Sequence, residues 1–449
     1  MQSTKSLLCR CVVVGCVGAM LTAAYGQAAA APVDTAGAAK IEIPWDWSGV
    51  IATGQSLAVG QNGKPSGLPT QPYNNLMLST GRLAWPVDPN DASLAMVPLI
   101  EPIGRNAVGY PSSWPTNISG ETPHAAMANQ LTAMVKAATG RDFIGVHGEV
   151  GENGQCMIYL KKDAVQKGVS GRSFEGAMVE TKAITHLAKA AGKTYGVGAI
   201  IITHGECDAG NAKYESDLHQ LWQDYNTDLA AITGQKQKVQ MIVSQQNAVN
   251  NRSAATVAQW KVGVDYPADI VCSGPKYQYN YSPDGVHLIT VGYEQLGEKY
   301  AQVYFERVIL HKDWQPLQPT KVERKATTIT VQFHVPVGPL VWDTTFEPPH
   351  QTVAEWKEGK GFEVSTAAGQ KVAIDSVAIA GDAVVITCGA DPGANARVSY
   401  AMIGETKKMA TPFAGTLRWG LLHDSDPFKG SVTGKAQPNW AVAFEMTAQ

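Results

Sequence analysis

Gly49-Val50-Ile51-Ala52-Thr53-Gly54-Gln55-Ser56-Leu57-Ala58-Val59-Gly60 is an apolar run that breaks at a glycine. Val50 to Thr53 has the length and composition of a strand. Gly54 lets the chain turn sharply off it, lifting Ser56 beyond the strand end. A second stretch, Ser282-Pro283-Asp284-Gly285-Val286-His287-Leu288, sets an aspartate three residues ahead of a histidine. A hydroxyl is a poor nucleophile near neutral pH unless an imidazole takes its proton and a third group holds that imidazole. The order Ser…Asp…His supplies all three, and we expect a serine hydrolase.

Working outward, strand-length apolar runs alternate with helical patterns between residues 48 and 312. Strands are expected at Val50 to Thr53, Asp142 to His147, Gly196 to Thr203, Val239 to Ser244 and Asp269 to Cys272. Helices are expected at Pro123 to Ala138, Phe174 to Ala191, Tyr214 to Ile232, Ala254 to Gly263 and Thr290 to Leu310. Continuous apolar strands such as Val197-Gly198-Ala199-Ile200-Ile201-Ile202 imply burial on both faces, hence a three-layer α/β domain with a parallel sheet. Residues 57 to 117 are rich in Pro, Gly and Asn and show no periodic segment. Such an excursion usually forms a functional wall or lid. Its Trp85, Tyr110 and Trp114 either line a cleft or pack the loop down.

After Trp314 the texture changes. Gln315-Pro316-Leu317-Gln318-Pro319 reads as a linker. Period-two runs follow at Thr328 to Phe333, Val372 to Val377 and Ala383 to Thr387, with Gly381-Asp382 as a hairpin turn. They describe a smaller all-β, sandwich-like domain over residues 316–449, after an α/β domain over residues 40–314.

Composition narrows the class. A hydrophobic content of 44% with 17% charged residues fits an ordered globular chain of 449 residues, and that length favours two domains. A formal net charge of -3 gives no electrostatic reason to expect nucleic acid as a partner. Lys5 and Arg10 precede an apolar stretch from Cys11 to about Tyr25, then Gln27-Ala28-Ala29-Ala30-Ala31-Pro32. That order reads as an export signal over residues 1–31, so a secreted or periplasmic destination is expected, and no later segment resembles a membrane span. Cys156, Cys207, Cys272 and Cys388 then remain, allowing three full pairings. Cys156 and Cys207 both follow strands near the expected site, so a bridge between them is one option.

Three ordered blocks carry a resemblance. Gly54-Gln55-Ser56, His204-Gly205-Glu206-Cys207-Asp208 and Asp284-Gly285-Val286-His287 each close a strand or follow one. Over residues 48–310 the chain resembles the SGNH hydrolases, and within them the sialate O-acetylesterase-like and acetylxylan-esterase-like carbohydrate esterases. The resemblance implies a flavodoxin-like SGNH sheet, no metal or organic cofactor, and an acetylated glycan as substrate. It implies Ser56 as nucleophile, His287 as general base and then acid, and Asp284 as orienter. Gln55, Gly151, His204 and Glu206 form the expected oxyanion and substrate-binding set, with Gly154 the alternative to Gly151. The third block departs from the family pattern, which has Gln-Gly-Glu followed by Ser. Here His204 stands for Gln and Cys207 for Ser, and a thiol is a feeble donor. For His204 a structural role and a catalytic one stand side by side. Glu206 and Asp208 are expected to brace their loop.

Other residues have plainer readings. His124, His147, His186 and His219 are scattered and expected in core or helix-surface roles rather than on a metal. Glu149 and Glu152 are expected to be solvated in a glycine-rich loop rather than to act as a glycosidase pair. Trp342, Trp356, Trp419 and Trp440 suit either sugar stacking or a sandwich core. The rivals to a carbohydrate acetylesterase are a lipase- or thioesterase-like acyl hydrolase and a non-catalytic glycan-binding protein with a degenerate site. The sequence leaves the oligomeric state open.

Overall fold

The computed structural model describes residues 41–64, 70–79, 88–103, 120–165, 173–246, 252–345, 354–403 and 420–449. The expected export signal, Trp85, Tyr110, Trp114 and Trp419 lie outside them. Among the described residues no helix is long and apolar enough to cross a membrane.

The first part builds one seven-stranded sheet. Its elements run β1 (Trp47–Gly54), β2 (Leu76–Leu78), β3 (Met96–Pro98), α1 (His124–Thr139), β4 (Gly145–Glu149), α2 (Met157–Leu160), α3 (Ser173–Ala190) and β5 (Tyr195–Thr203). They continue with α4 (Tyr214–Thr233), β6 (Gln240–Ser244), α5 (Ala254–Asp265), β7 (Ile270–Gly274) and α6 (Thr290–Tyr304). The spatial order is β3-β2-β4-β1-β5-β6-β7. Every pairing is parallel except β2 with β3.

Side-chain alternation splits the burial between the two faces of this sheet. Ile51, Ile200, Ile202, Met241 and Val243 pack with residues of α3, α4 and α5. Their neighbours Val50, Ala199, Ile201, Ile242 and Val271 pack with residues of α1 and α6. Strands buried on both faces must be apolar throughout, which is why β5 reads as an unbroken hydrophobic run. Numbering β1, β4, β5, β6 and β7 in chain order gives the spatial order 2-1-3-4-5, so the winding reverses at β1. In open α/β sheets the crevice beyond such a reversal is where ligands bind.

Three expectations need correction here. The excursion after residue 57 does contain strands, β2 and β3, each only three residues long and too short to show a period. The presumed linker enters β8 (Gln318–Lys325) directly, with Leu317 and Gln318 buried and the Trp260 indole donating to Gln318 Oε1 at 2.9 Å. The final helix of the first part closes with a π turn at Phe305–Ile309 instead of continuing as α-helix to Leu310.

The second part adds β9 (Thr328–His334), β10 (Val341–Trp342), β11 (Phe362–Ser365), β12 (Lys371–Val372), β13 (Ile374–Ala380), β14 (Ala383–Cys388), β15 (Arg397–Tyr400), β16 (Leu422–His423) and β17 (Phe444–Thr447). They form two four-stranded sheets, β12-β11-β15-β17 and β13-β14-β9-β8, plus the pair β10-β16, all antiparallel. The run from Val372 to Val377, expected as one strand, is two. The chain changes sheets between β12, paired to β11, and β13, paired to β14. Val331, Val377 and Ile386 of one sheet share a core with Phe362, Val398 and Phe444 of the other. Trp260, Cys272 and Tyr277 of the first part complete that core. Trp356 and Trp440 are buried in it, as a sandwich core requires.

Candidate active site

The nucleophile turn depends on Gly54. Its φ is 144°, and a Cβ there would lie 2.2 Å from the Thr203 carbonyl oxygen, so no side chain fits. The chain then coils tightly, Ala58 N–H donating to Gln55 O at 2.7 Å and Gln61 N–H to Ser56 O at 3.0 Å. Among the described residues the Ser56 N–H has no acceptor.

The second piece is a loop between β7 and α6, closed by the antiparallel bridge of Tyr281 with Leu288. Ser282 N–H donates to His287 O at 2.7 Å and Gly285 N–H to Ser282 O at 2.9 Å, which puts Asp284 and His287 on one side of the turn. Their rings and carboxylates then line up. His287 Nδ1 lies 2.6 Å from Asp284 Oδ2, and His287 Nε2 lies 2.8 Å from Ser56 Oγ. Ser56 is buried and His287 is largely covered, while Asp284 is partly exposed.

Asp284 is held by more than the imidazole. Its Oδ1 accepts from Ser282 Oγ at 2.7 Å, Val286 N–H at 2.9 Å and His287 N–H at 3.0 Å. Its Oδ2 also accepts from Asn62 Nδ2 at 2.7 Å. Burial opposes the charge, but the bonds from the His287 ring, the two peptide N–H groups and Ser282 outweigh it and hold the carboxyl well below the usual range. Sequence reasoning missed Asn62. It follows the nucleophile turn at a left-handed φ of 66°, a conformation asparagine tolerates better than most residues.

The expected oxyanion set behaves differently. His204 is fully buried and both ring nitrogens are engaged. Nε2 sits 2.9 Å from the Gln155 carbonyl, which can only accept, so Nε2 carries the proton. Nδ1 then accepts from the Tyr214 hydroxyl at 2.7 Å. Burial lowers the His204 pKa, consistent with a neutral ring. His204 therefore ties the loop at Gln155 to α4, and no donor remains for an oxyanion, which corrects the catalytic alternative. Gly151 N–H donates to Glu149 Oε1, a satisfied bond within its own loop, so it too is no free donor. Gly154, the alternative, has a φ of 71° and open space where a Cβ would stand.

Gln55 is buried and its Oε1 accepts from the Cys207 N–H at 3.2 Å. Cys156 and Cys207 are joined in a disulfide with Cα atoms 5.0 Å apart, while Cys272 and Cys388 are free and buried. The bridge links the loops after β4 and β5, the same two that His204 ties together. Glu206 faces Lys276 at 3.5 Å, both side chains sheltered, and burial lowers the Lys276 pKa against the pull of that carboxylate. Asp208 braces its loop as expected, accepting from Met157 N–H at 2.7 Å.

Glu149 and Glu152 are buried rather than solvated. Glu152 accepts from the Ser173 N–H and hydroxyl, both at 3.1 Å. His124 and His147 form a buried pair, Nδ1 to Nδ1 3.2 Å, behind this loop. His219 stacks on Tyr266, ring centroids 3.6 Å apart, and His186 is exposed. Among the described residues the one cluster with metal-ligand spacing is Cys156, Cys207 and Asp208, and its two sulfurs are already bonded to each other.

No family model and no curated protein matches the sequence. Among solved structures, a novel carbohydrate acetylesterase from Xanthomonas citri matches at 13% identity with a TM-score of 0.53, over 89% of this chain and 80% of that one. Est24, a carbohydrate acetylesterase from Sinorhizobium meliloti, matches at 12% identity with a TM-score of 0.32, over 57% and 97%. A protein from Arabidopsis thaliana matches at 17% identity with a TM-score of 0.41, over 59% and 100%. The first likeness spans most of both chains, and the fold of this protein is shared with that carbohydrate acetylesterase.

Proposed function

We propose that the chain is an exported SGNH-type serine esterase that removes O-acetyl groups from a carbohydrate. The observation that carries this reading is the hydrogen-bonded row Ser56 Oγ, His287 Nε2, His287 Nδ1 and Asp284 Oδ2, with steps of 2.8 and 2.6 Å. The 2-1-3-4-5 strand order, which is that of flavodoxin-like sheets, and the position of Ser56 just past the reversal at β1 support it further. The carbohydrate comes from the Gly-Gln-Ser block and from the fold shared with a carbohydrate acetylesterase.

In this reading Asp284 fixes the ring with Nδ1 protonated, leaving Nε2 to take the Ser56 proton as Oγ attacks the acetyl carbonyl. The Ser56 N–H faces the developing oxyanion, and a second donor comes from the loop carrying Gly154. Collapse expels the sugar hydroxyl, which receives the proton from His287. Water, deprotonated by the same ring, then splits the acetyl-serine to release acetate. The basic and apolar order of residues 1–31 supports export.

The test is release of acetate from p-nitrophenyl acetate and from a panel of acetylated polysaccharides. Turnover by wild type and its loss in Ser56→Ala are expected. A folded wild type inert toward every acetyl ester contradicts the proposal.

A further inference from the structure

The outer face of the sheet β12-β11-β15-β17 carries an ordered polar pattern. Register pairs Lys371 with Ser365 and Ser365 with Arg397, so these three stand in a row across adjacent strands on one face. One step along, Glu363, Ser399 and Glu445 form a second row on that face. Their alternates Phe362, Val364, Val398, Tyr400 and Phe444 face the core. Period-two alternation therefore gives this face a polar pattern, exposed at Lys371 and Arg397 and buried at Glu363 and Ser399.

The second row is paired, the single charge of Arg252 standing between the carboxylates of Glu363 and Glu445 at the edge of the cleft. Arg252, beside the start of α5, donates to Glu363 at 3.1 Å and to Glu445, and Ser399 donates to Glu363 at 2.9 Å. The first row is not. Lys371 and Arg397 are exposed, and neither pairs with a carboxylate among the described residues. Between the row and α5 lies a cleft of about 550 Å³, walled by Val257, Trp356, Met402 and Ile403. That volume falls in the range of small-molecule sites. The Trp356 ring carries Lys371 Nζ at 5.7 Å, which steadies the cation without discharging it.

We infer that this cleft is a second ligand site, separate from Ser56, that binds a carboxylated sugar unit of uronic-acid type. Lys371 and Arg397 stand two strand spacings apart, roughly 10 Å, and flank the Ser365 hydroxyl. A pair of uronate units along a chain presents carboxylates to both cations and hydroxyls to the serine. The sugar part of this inference rests on the proposed function, whereas the anion part rests on the row alone.

Titration calorimetry of the full chain, in wild type and in Ser56→Ala, tests it with trigalacturonate, neutral galactotriose and sulfate. Both proteins are expected to bind trigalacturonate and not galactotriose. Lys371→Gln/Arg397→Gln is expected to weaken that binding by at least about tenfold while p-nitrophenyl acetate turnover stays within about twofold. Absence of binding by wild type, or equal binding by the double variant, overturns the site. Sulfate displacing trigalacturonate at equal concentration overturns the sugar specificity. Because the readout is binding, an inert Ser56 would leave the inference standing.

Discussion

Asn62 Nδ2 lies 2.7 Å from Asp284 Oδ2, the same oxygen that faces the His287 ring. Nucleophile turn and base loop, more than two hundred residues apart in sequence, are thus joined at the carboxylate as well as at the serine. A bond to a charged acceptor is worth roughly 1.5 kcal/mol. Asn62→Ala is expected to lower kcat about tenfold with KM little changed. Steady-state kinetics on p-nitrophenyl acetate reads this, and an unchanged kcat would remove Asn62 from the account.

Asp284→Asn keeps the shape of the loop but offers His287 the wrong partner. A fall of about 10⁴ in kcat is expected where a triad carboxylate is neutralised this way. In the wild type Asp284 stays charged through the mildly acidic range, because its donors hold it well below ordinary carboxylates. A pH–rate profile whose acid limb persists unchanged in Asp284→Asn would contradict the assigned role.

Gly54→Ala sets a methyl against the Thr203 carbonyl at 2.2 Å and asks alanine for a φ of 144°. Relief requires the Ser56 turn to move, and displacement of about 1 Å costs roughly a hundredfold in rate. Kinetics together with a thermal melt check this, a lower Tm accompanying the lost activity.

The buried pair His124–His147 makes stability depend on pH. Burial pushes His124 down to about 3 and His147 well below its usual value, with the His124 charge adding to the latter. Below about pH 6.5 the unfolded chain takes up protons that the folded one refuses, so this contribution is lost as pH falls toward 3. Glu101, pushed up to about 7 chiefly by burial, works in the opposite sense, its share falling as pH rises from 4.5 to 7. Urea unfolding at several pH values should show wild type losing stability faster on acidification than His147→Gln, by up to about 1.4 kcal/mol per pH unit per histidine.

The Cys156–Cys207 bridge closes 51 residues of chain. Loop entropy of that size corresponds to about 4 kcal/mol. Reduction should lower Tm, and it should lower kcat as well, since the Cys207 N–H holds Gln55 beside the nucleophile. Reduced protein with full activity would show that the bridge only braces the fold.

Much of this was legible because it rests on local signals. The alternating halves of the sheet strands, the apolar run of β5 and the small turn residues beside Ser56 and His287 need no long-range information. What stayed hidden depends on contacts across the chain. The strands β2 and β3 are too short to show a period, and β12 and β13 look continuous until their partners are known. His204 looked available because nothing near it in sequence announces Gln155 as its acceptor. Glu149 and Glu152 sit among glycines, yet both are buried and accept from Gly151 and Ser173 inside the protein.

The most direct test is labelling with a fluorophosphonate, followed by mapping of the modified peptide. One adduct on Ser56 is expected, formed quickly in wild type, slowly in His287→Gln and not at all in Ser56→Ala. An adduct on another serine, or ester turnover that survives in Ser56→Ala, would contradict the claim that the hydroxyl 2.8 Å from His287 Nε2 does the chemistry.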